Sequence, residues 1–397
     1  MLQEIIALDQ KYYMNTFGNR RPVCFDHGVG MKLYTENGEA YLDFFAGIAV
    51  NAIGYSHPKF VCAVKEQIEK LIHTSSLYYI ESQALLAQKL CKISCADRAF
   101  FCNSGAEANE AALKLAKIYF YKKGQPERNR IITLENSFHG RTLATVAATG
   151  QRKYQEPYRP LTPGFSHVKI NDVDALNMEV TDQTAAIMIE LIQGESGVYS
   201  CSREFLQAVQ QLCSEKGILL IVDEVQTGIG RTGAMFAYQN FGIEPDIFTL
   251  AKALGGGIPI GAVCAKQEVC AFEPGDHGST FGGNPLATTA ALSVLDIIEN
   301  EKLVGRAARM GAYFKDSLTK LQNRYTCLKE IRGMGLMIGV EFEAGLAPQI
   351  HEALFQNRIL CGCVGNTLRI LPPLIVTEEE IDIFTQALED ILRNLRQ

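Results

Sequence analysis

Residues Ile218–Gly233 read ILLIVDEVQTGIGRTG and residues Pro245–Gly261 read PDIFTLAKALGGGIPIG. In the first stretch an unbroken apolar run, Ile218–Val222, ends on Asp223 and Glu224; in the second, Asp246–Leu250 is followed two residues later by Lys252. Short apolar runs of this length read as strands buried on both faces. Between the strands Ala185–Ile192 and Ile218–Val222, the residues Phe205, Leu206, Val209, Leu212 and Cys213 recur at helical spacing and stop before Gly217, as a helix closed by a glycine should. Strand, helix and strand in series predict an α/β chain built on a central, mostly parallel sheet covered by helices. Ala99–Asn103, Arg130–Leu134 and Ala262–Ala265 are further strands of it.

From Pro285 the pattern changes to longer amphipathic helices, Leu286–Glu299 and Leu303–Arg324. Short strands follow around Gly335–Glu341 and Leu368–Leu371, and a last helix starts at Thr377. This predicts a smaller α+β domain over residues 285–397, next to a large domain over residues 61–284. Residues 1–60 contain strand patterns at Lys32–Thr35 and Ala40–Asp43 with turn signals between them, and are expected to pack with the small domain.

The chain of 397 residues is 47% hydrophobic and 21% charged, so it can bury a large core and does not read as disordered. Its 38 basic against 44 acidic residues leave a net charge of −6, which gives no general attraction to nucleic acid or anionic lipid. The longest uncharged run, Gly278–Leu295, is interrupted by Gly282, Gly283, Asn284 and Pro285, so no membrane span is expected. Glu4 and Asp9 interrupt the first apolar stretch, and no basic segment precedes it, so it does not read as a signal peptide. Twelve cysteines without metal-ligand spacing read as core thiols of a cytoplasmic protein, and no metal site is expected.

Two motifs mislead. Val222–Glu224 looks like the acidic strand end of a P-loop ATPase, yet the chain contains no Gly-Lys dipeptide to complete a phosphate loop. Gly228, Gly230 and Gly233 match the dinucleotide fingerprint, but five residues separate Gly228 from the strand, which the fingerprint does not allow.

The remaining features converge. Asp223 and Lys252 both follow strands and so face the carboxyl edge of the sheet, where open α/β sheets bind ligands. An aspartate there also serves turns, and a lysine is usually solvated. Lys252 lies instead in an apolar, glycine-rich run, where an amine tends to a lowered pKa and suits a Schiff-base nucleophile. Ser104, Gly105 and Ala106 open a helix after the strand Ala99–Asn103. Small residues at that place admit a phosphate to free backbone N–H groups, and Ser104 with Glu107 equally forms a capping box. A phosphate cradle, a carboxylate and an amine on one sheet edge ask for a phosphorylated cofactor with a carbonyl and a basic nitrogen.

The runs Val222–Gly233 and Pro245–Ala262 resemble the signature of the class III pyridoxal-phosphate-dependent aminotransferases. SFHGRT (Ser137–Thr142), GSTFGGNP (Gly278–Pro285), RGMGL (Arg332–Leu336), YLDFFAGIAVN (Tyr41–Asn51) and LRILPP (Leu368–Pro373) fit the same family, so the resemblance spans nearly the whole chain. Leu191, Ser196 and Thr74–Ser76 depart from the family's usual pattern, none at a cofactor position. The resemblance implies fold type I with pyridoxal 5'-phosphate (PLP) as cofactor. By it Lys252 bonds the cofactor's aldehyde and shuttles the substrate proton. Asp223 pairs with the pyridine nitrogen and Gln226 reaches the ring hydroxyl. Ser104, Gly105 and Ala106 hold the phosphate, and Phe138 stacks on the ring. Thr280 and Ser279 reach the site of the opposite subunit of a homodimer. Arg369 takes the α-carboxylate of glutamate, Arg141 that of a longer amine substrate, and Glu195 pairs with Arg369 when that slot is empty. Within the family the chain looks most like members that exchange the distal amine of N-acetylornithine with 2-oxoglutarate in arginine biosynthesis. Ornithine, succinylornithine and related ω-amines are the alternatives, and a non-enzymatic cofactor-binding protein is the alternative outside catalysis.

Overall fold

The computed structural model describes residues 1–18 and 20–395. Its largest sheet has seven strands in the spatial order Arg98–Cys102, Gly261–Ala265, Ile247–Leu250, Leu219–Asp223, Thr184–Ile189, Arg130–Leu134 and Phe165–Val168. Gly261–Ala265 pairs antiparallel with both its neighbours, while the pairings among the other strands are parallel. Every residue of Leu219–Asp223 and of Thr184–Ile189 is buried, as a sheet covered on both faces requires. Alternation divides the first of these strands: Leu219 and Ile221 face one apolar cluster, Leu220 and Val222 the other.

The helix Arg203–Lys216 starts where the Ser202 side chain accepts the Phe205 N–H and ends at Gly217, whose φ of 60° is left-handed. Gly105–Lys122 packs its alanine-rich face, Ala108, Ala112 and Ala116, against the sheet. Its small side chains let the helix lie close, which brings its first turn to the sheet edge beside Asp223.

A second sheet joins Phe25–Val29, Lys32–Thr35 and Ala40–Asp43 to Ile359–Leu360, with Leu42 opposite Ile359. A third has the order Leu328–Met334, Met337–Phe342, Thr367–Ile370, Gly362–Val364. Its hairpin turns at Gly335 and Leu336, so the strand expected around Gly335–Glu341 is the hairpin's second strand, and Leu328–Met334 before it is not among the expected strands. The helix Pro285–Asn300 packs against Pro58–Lys70 and Glu81–Ile93 and against the turn Lys252–Gly255; its burial on nearly every side fits a helix rich in Ala, Val, Leu and Ile.

All twelve cysteines are free. Cys102, Cys201, Cys213, Cys264 and Cys361 are core thiols as expected, but Cys24 and Cys62 are exposed. Cys62 lies on Pro58–Lys70, a helix with no fully buried residue, so nothing there could enclose it.

Candidate active site

A cavity of about 420 Å³ opens at the carboxyl edge of the large sheet, a size that suits a small ligand together with a cofactor. Ser104, Gly105, Ala106, Phe138, Arg141, Glu195, Asp223, Gln226 and Lys252 all line it. Residues from five separate stretches of sequence are thus brought to one place.

Asp223 stands at the end of its strand, opposite Thr249 on the neighbouring strand. Its carboxylate is buried and fully oriented. Oδ2 accepts from His139 Nδ1 and from Asn109 Nδ2, both at 2.8 Å, and Oδ1 accepts from the Val225 N–H at 3.0 Å. Asn109 is held in turn by the Thr249 hydroxyl, which donates to its Oδ1 at 2.7 Å, and by the His139 carbonyl. Three donors from three different segments therefore fix the orientation of this carboxylate.

Lys252 follows the strand Ile247–Leu250 and takes a left-handed backbone, φ 44°, at the start of the 3-10 turn Lys252–Gly255. That conformation is costly for a side chain with a Cβ and is held by the packed turn around it. Partly open to the pocket, the amine is still surrounded closely enough that desolvation lowers its pKa. Glu195, Asp223 and Glu190 oppose that shift and Arg369 adds to it.

At the helix Gly105–Lys122 the Ser104 hydroxyl accepts the Glu107 N–H at 3.2 Å and the Ser104 carbonyl accepts that of Ala108. The Glu107 carboxylate reaches back to the Asn103 N–H at 2.7 Å, one residue earlier than the expected capping box would place it. The N–H groups of Gly105 and Ala106 have no acceptor among the described residues. With the helix dipole behind them they form an anion cradle. A Cβ at Gly105 would lie 2.8 Å from Val225, so only glycine lets the backbone enter the pocket here.

Glu195 pairs with Arg369 through both guanidinium Nη atoms, at 2.6 and 3.1 Å, and accepts from Gln226 Nε2 at 3.2 Å. Burial pushes the Glu195 carboxyl up, but Arg369, Lys252 and Gln226 together hold the group below its usual value. Gln226, expected at a ring hydroxyl, has its amide engaged with this pair; its Oε1 also accepts from Arg369 at 3.3 Å. Arg369 is 5% exposed and stands behind the pocket lining. Arg141 is exposed at the mouth and stacks over Tyr154 at 3.9 Å. Ser279 lies close by, its hydroxyl accepting from Asn103 Nδ2 at 3.1 Å, whereas Thr280 is exposed and lines no part of this cavity.

Sequence reasoning passed over three contributors. His139 lies inside the quoted SFHGRT motif and Asn109 in the helix opened by Ser104, but their links to Asp223 span 84 and 114 positions, and no local pattern reports such a contact. Glu190 lines the pocket, accepts the Phe138 N–H at 2.8 Å, and is pushed up to about 7 by burial.

An anion cradle, a buried and oriented carboxylate, an aromatic face at Phe138 and a desolvated amine are the donor set that PLP needs, and the residues present fit it. The aminotransferase class-III family model matches residues 13–392. The acetylornithine aminotransferase of Methanocaldococcus jannaschii is 50% identical over 99% of this chain and 98% of its own length. The ornithine aminotransferase of Toxoplasma gondii, in a structure with PLP partially occupying its active site, is 35% identical with a TM-score of 0.93, covering 98% of this chain and 94% of that one. The acetylornithine aminotransferase of Elizabethkingia anophelis is 36% identical with a TM-score of 0.90, covering 99% of each chain.

Proposed function

Because this chain belongs to the class-III aminotransferase family and is a PLP-dependent aminotransferase, we propose that it moves the distal amine of N2-acetyl-L-ornithine to 2-oxoglutarate. The products are N-acetylglutamate 5-semialdehyde and glutamate, and the two half-reactions alternate at one site, in arginine biosynthesis. The observation that carries this reading is the pair of arginines, Arg369 locked to Glu195 deep in the site and Arg141 at its mouth.

When bound, the cofactor supplies an aldehyde that takes up the amine and a protonated ring that draws electrons from the carbon losing its proton. The chain's own residues do the rest. Gly105 and Ala106 N–H, with Ser104, hold the phosphate. Asp223, fixed by Asn109, His139 and the Val225 N–H, would pair with the ring nitrogen and favour its protonated form. Phe138 covers the ring face, and Gln226 borders the ring on the hydroxyl side. Lys252 Nζ, whose pKa desolvation lowers, would accept the proton lost by the substrate carbon and hold it for return.

In one substrate the reacting amine lies beside the α-carboxylate and in the other at the far end of the chain, so no single cation can serve both. Arg369 binds the near α-carboxylate of glutamate and 2-oxoglutarate; Arg141 binds the distant one of acetylornithine. A guanidinium left unpaired in a buried slot is costly, and Glu195 fills that place whenever the longer substrate is bound.

Assembly as a homodimer belongs to the same proposal. Leu71, Ile72, Leu77, Tyr78, Tyr79 and Phe281, the last adjacent to Thr280 in sequence, are exposed apolar side chains; their burial in a subunit interface would bring Thr280 and Ser279 to the partner's phosphate and substrate. We also take residues 61–284 as the large domain and 285–397, joined by residues 1–60, as the small one. Pairing of Ala40–Asp43 with Ile359–Leu360 supports the join. No helix among the described residues is long and apolar enough to cross a membrane; a cytoplasmic location is supported by the free thiols.

The test is a comparison of kcat/KM for N2-acetylornithine, ornithine and N2-succinylornithine with 2-oxoglutarate as acceptor. The highest value should belong to acetylornithine. A preference for free ornithine would instead place the chain with the ornithine aminotransferases it also resembles.

A further inference from the structure

Arg231 is 1% exposed, and among the described residues no carboxylate pairs with it. Its Nη1 donates to two carbonyls, those of Leu336 (3.0 Å) and Pro372, while its own carbonyl accepts the Leu336 N–H at 3.0 Å. Nε and Nη2 have no partner, and burial alone pushes the guanidinium down to about 9. A buried cation bonded only to neutral carbonyls is costly, and an apolar side chain of similar volume would fill the space more cheaply. What the arginine adds is direction: a rigid planar group whose Nη1 alone ties two separate backbone segments.

Both segments belong to the sheet that carries Arg369. Leu336 is in the turn of the hairpin whose second strand, Met337–Phe342, sets Gly339 opposite Arg369. Pro372 lies two residues beyond the strand Thr367–Ile370. The loop after Asp223 therefore grips this strand twice, at Arg369 through Gln226 Oε1 and past its end through Arg231. The contact has no slack. A Cβ at Gly335, φ +55°, would lie 2.5 Å from the Thr232 carbonyl carbon and 2.7 Å from the Arg231 carbonyl oxygen.

We propose that Arg231 is a positioning residue for keto-acid recognition: by fastening Leu336 and Pro372 to the loop that begins at Asp223, it fixes where Arg369 stands relative to Asp223 and Lys252. It touches neither cofactor nor substrate and acts through Arg369. The inference rests on the reading of Arg369 as the clamp for the α-carboxylate of glutamate and 2-oxoglutarate.

In the holoenzyme, Arg231→Met should raise KM for 2-oxoglutarate about tenfold, the scale of a sub-ångström misplacement of a binding group. Arg231→Lys, with a donor group for the carbonyls on a shorter and more flexible stem, should fall between it and wild type. The visible absorption of the bound cofactor and the single-turnover rate with acetylornithine should stay within about twofold of wild type. Added to Arg369→Lys, Arg231→Met should change KM little further, because its effect passes through the group already removed. If Arg231→Met does not fold, Gly335→Ala reads the same displacement with the arginine in place. Unchanged KM in the Arg231 variants while Arg369→Lys raises it would overturn this inference and leave the proposed function standing. Equal losses in both half-reactions would show a general structural role and overturn it as well. If Arg369→Lys itself leaves KM unchanged, the clamp reading fails and this inference falls with it.

Discussion

Glu195, which lines the same cavity as Lys252, meets Arg369 behind the lining as a two-point ion pair, 2.6 and 3.1 Å long. A substrate carboxylate that binds Arg369 must displace Glu195; one that does not can leave the pair intact. In the proposed function this exchange is what would let one site accept two substrates of different length.

Arg369→Lys keeps the charge but loses the fork. Loss of one charge-assisted bond is worth about 1.5–3 kcal/mol, so KM for glutamate and 2-oxoglutarate should rise roughly ten- to a hundredfold, with a much smaller change for acetylornithine. Arg141→Lys should show the reverse. Steady-state kinetics with each substrate varied in turn check the crossing; parallel losses in both variants would defeat the division of labour.

Asp223→Asn removes the charge proposed to face the ring nitrogen while leaving the Gly105 and Ala106 N–H groups untouched. At about 1.5–3 kcal/mol for the lost interaction, kcat should drop by one to two decades or more. Cofactor should still bind, as seen by absorbance after dialysis. Full activity would mean that another group protonates the ring.

Asn109→Ala takes one donor from Asp223 and leaves the Thr249 hydroxyl and the His139 carbonyl without their partner. Unsatisfied buried groups should lower stability by about 1–3 kcal/mol, and kcat should fall because Asp223 is no longer held. Denaturant midpoints and kcat together test this; a variant with normal kcat would show that His139 and Val225 suffice.

Glu224 is buried against Thr227 and the Tyr238 N–H, and burial pushes its carboxyl up to about 7 from 4.5. Between those values the folded chain keeps a proton that the unfolded chain has released. Stability therefore falls as pH rises through that window, at up to about 1.4 kcal/mol per pH unit, and levels off above it. Glu224→Gln should remove this contribution, so the difference in urea midpoint between pH 5 and pH 7.5 shrinks relative to wild type. An unchanged difference would show that Glu224 ionises normally.

Much of this architecture can be read from sequence where burial is two-sided. Arg130–Leu134 and the helix ending at Gly217 follow directly from apolar runs and a left-handed glycine. Phe165–Val168 escapes because it is a short edge strand, only one of its residues fully buried, so its pattern resembles a turn. Leu328–Met334 escapes because Lys329, Glu330 and Arg332 break its apolar pattern while its backbone pairs regularly. In the site, the groups at strand ends and helix starts announce themselves, as Asp223, Lys252 and Ser104 do. The groups that hold them, Asn109, His139, Thr249 and Arg231, act across long sequence separations and become visible only once the chain is folded.

Lys252 carries the central claim, since both amine capture and proton transfer are assigned to its Nζ. The most direct measurement is a single turnover of cofactor-loaded Lys252→Ala with N2-acetylornithine, followed by rapid quench and mass analysis for N-acetylglutamate 5-semialdehyde. The account predicts no product on the time scale on which wild type completes its turnover. Product formation at a rate near wild type would contradict it.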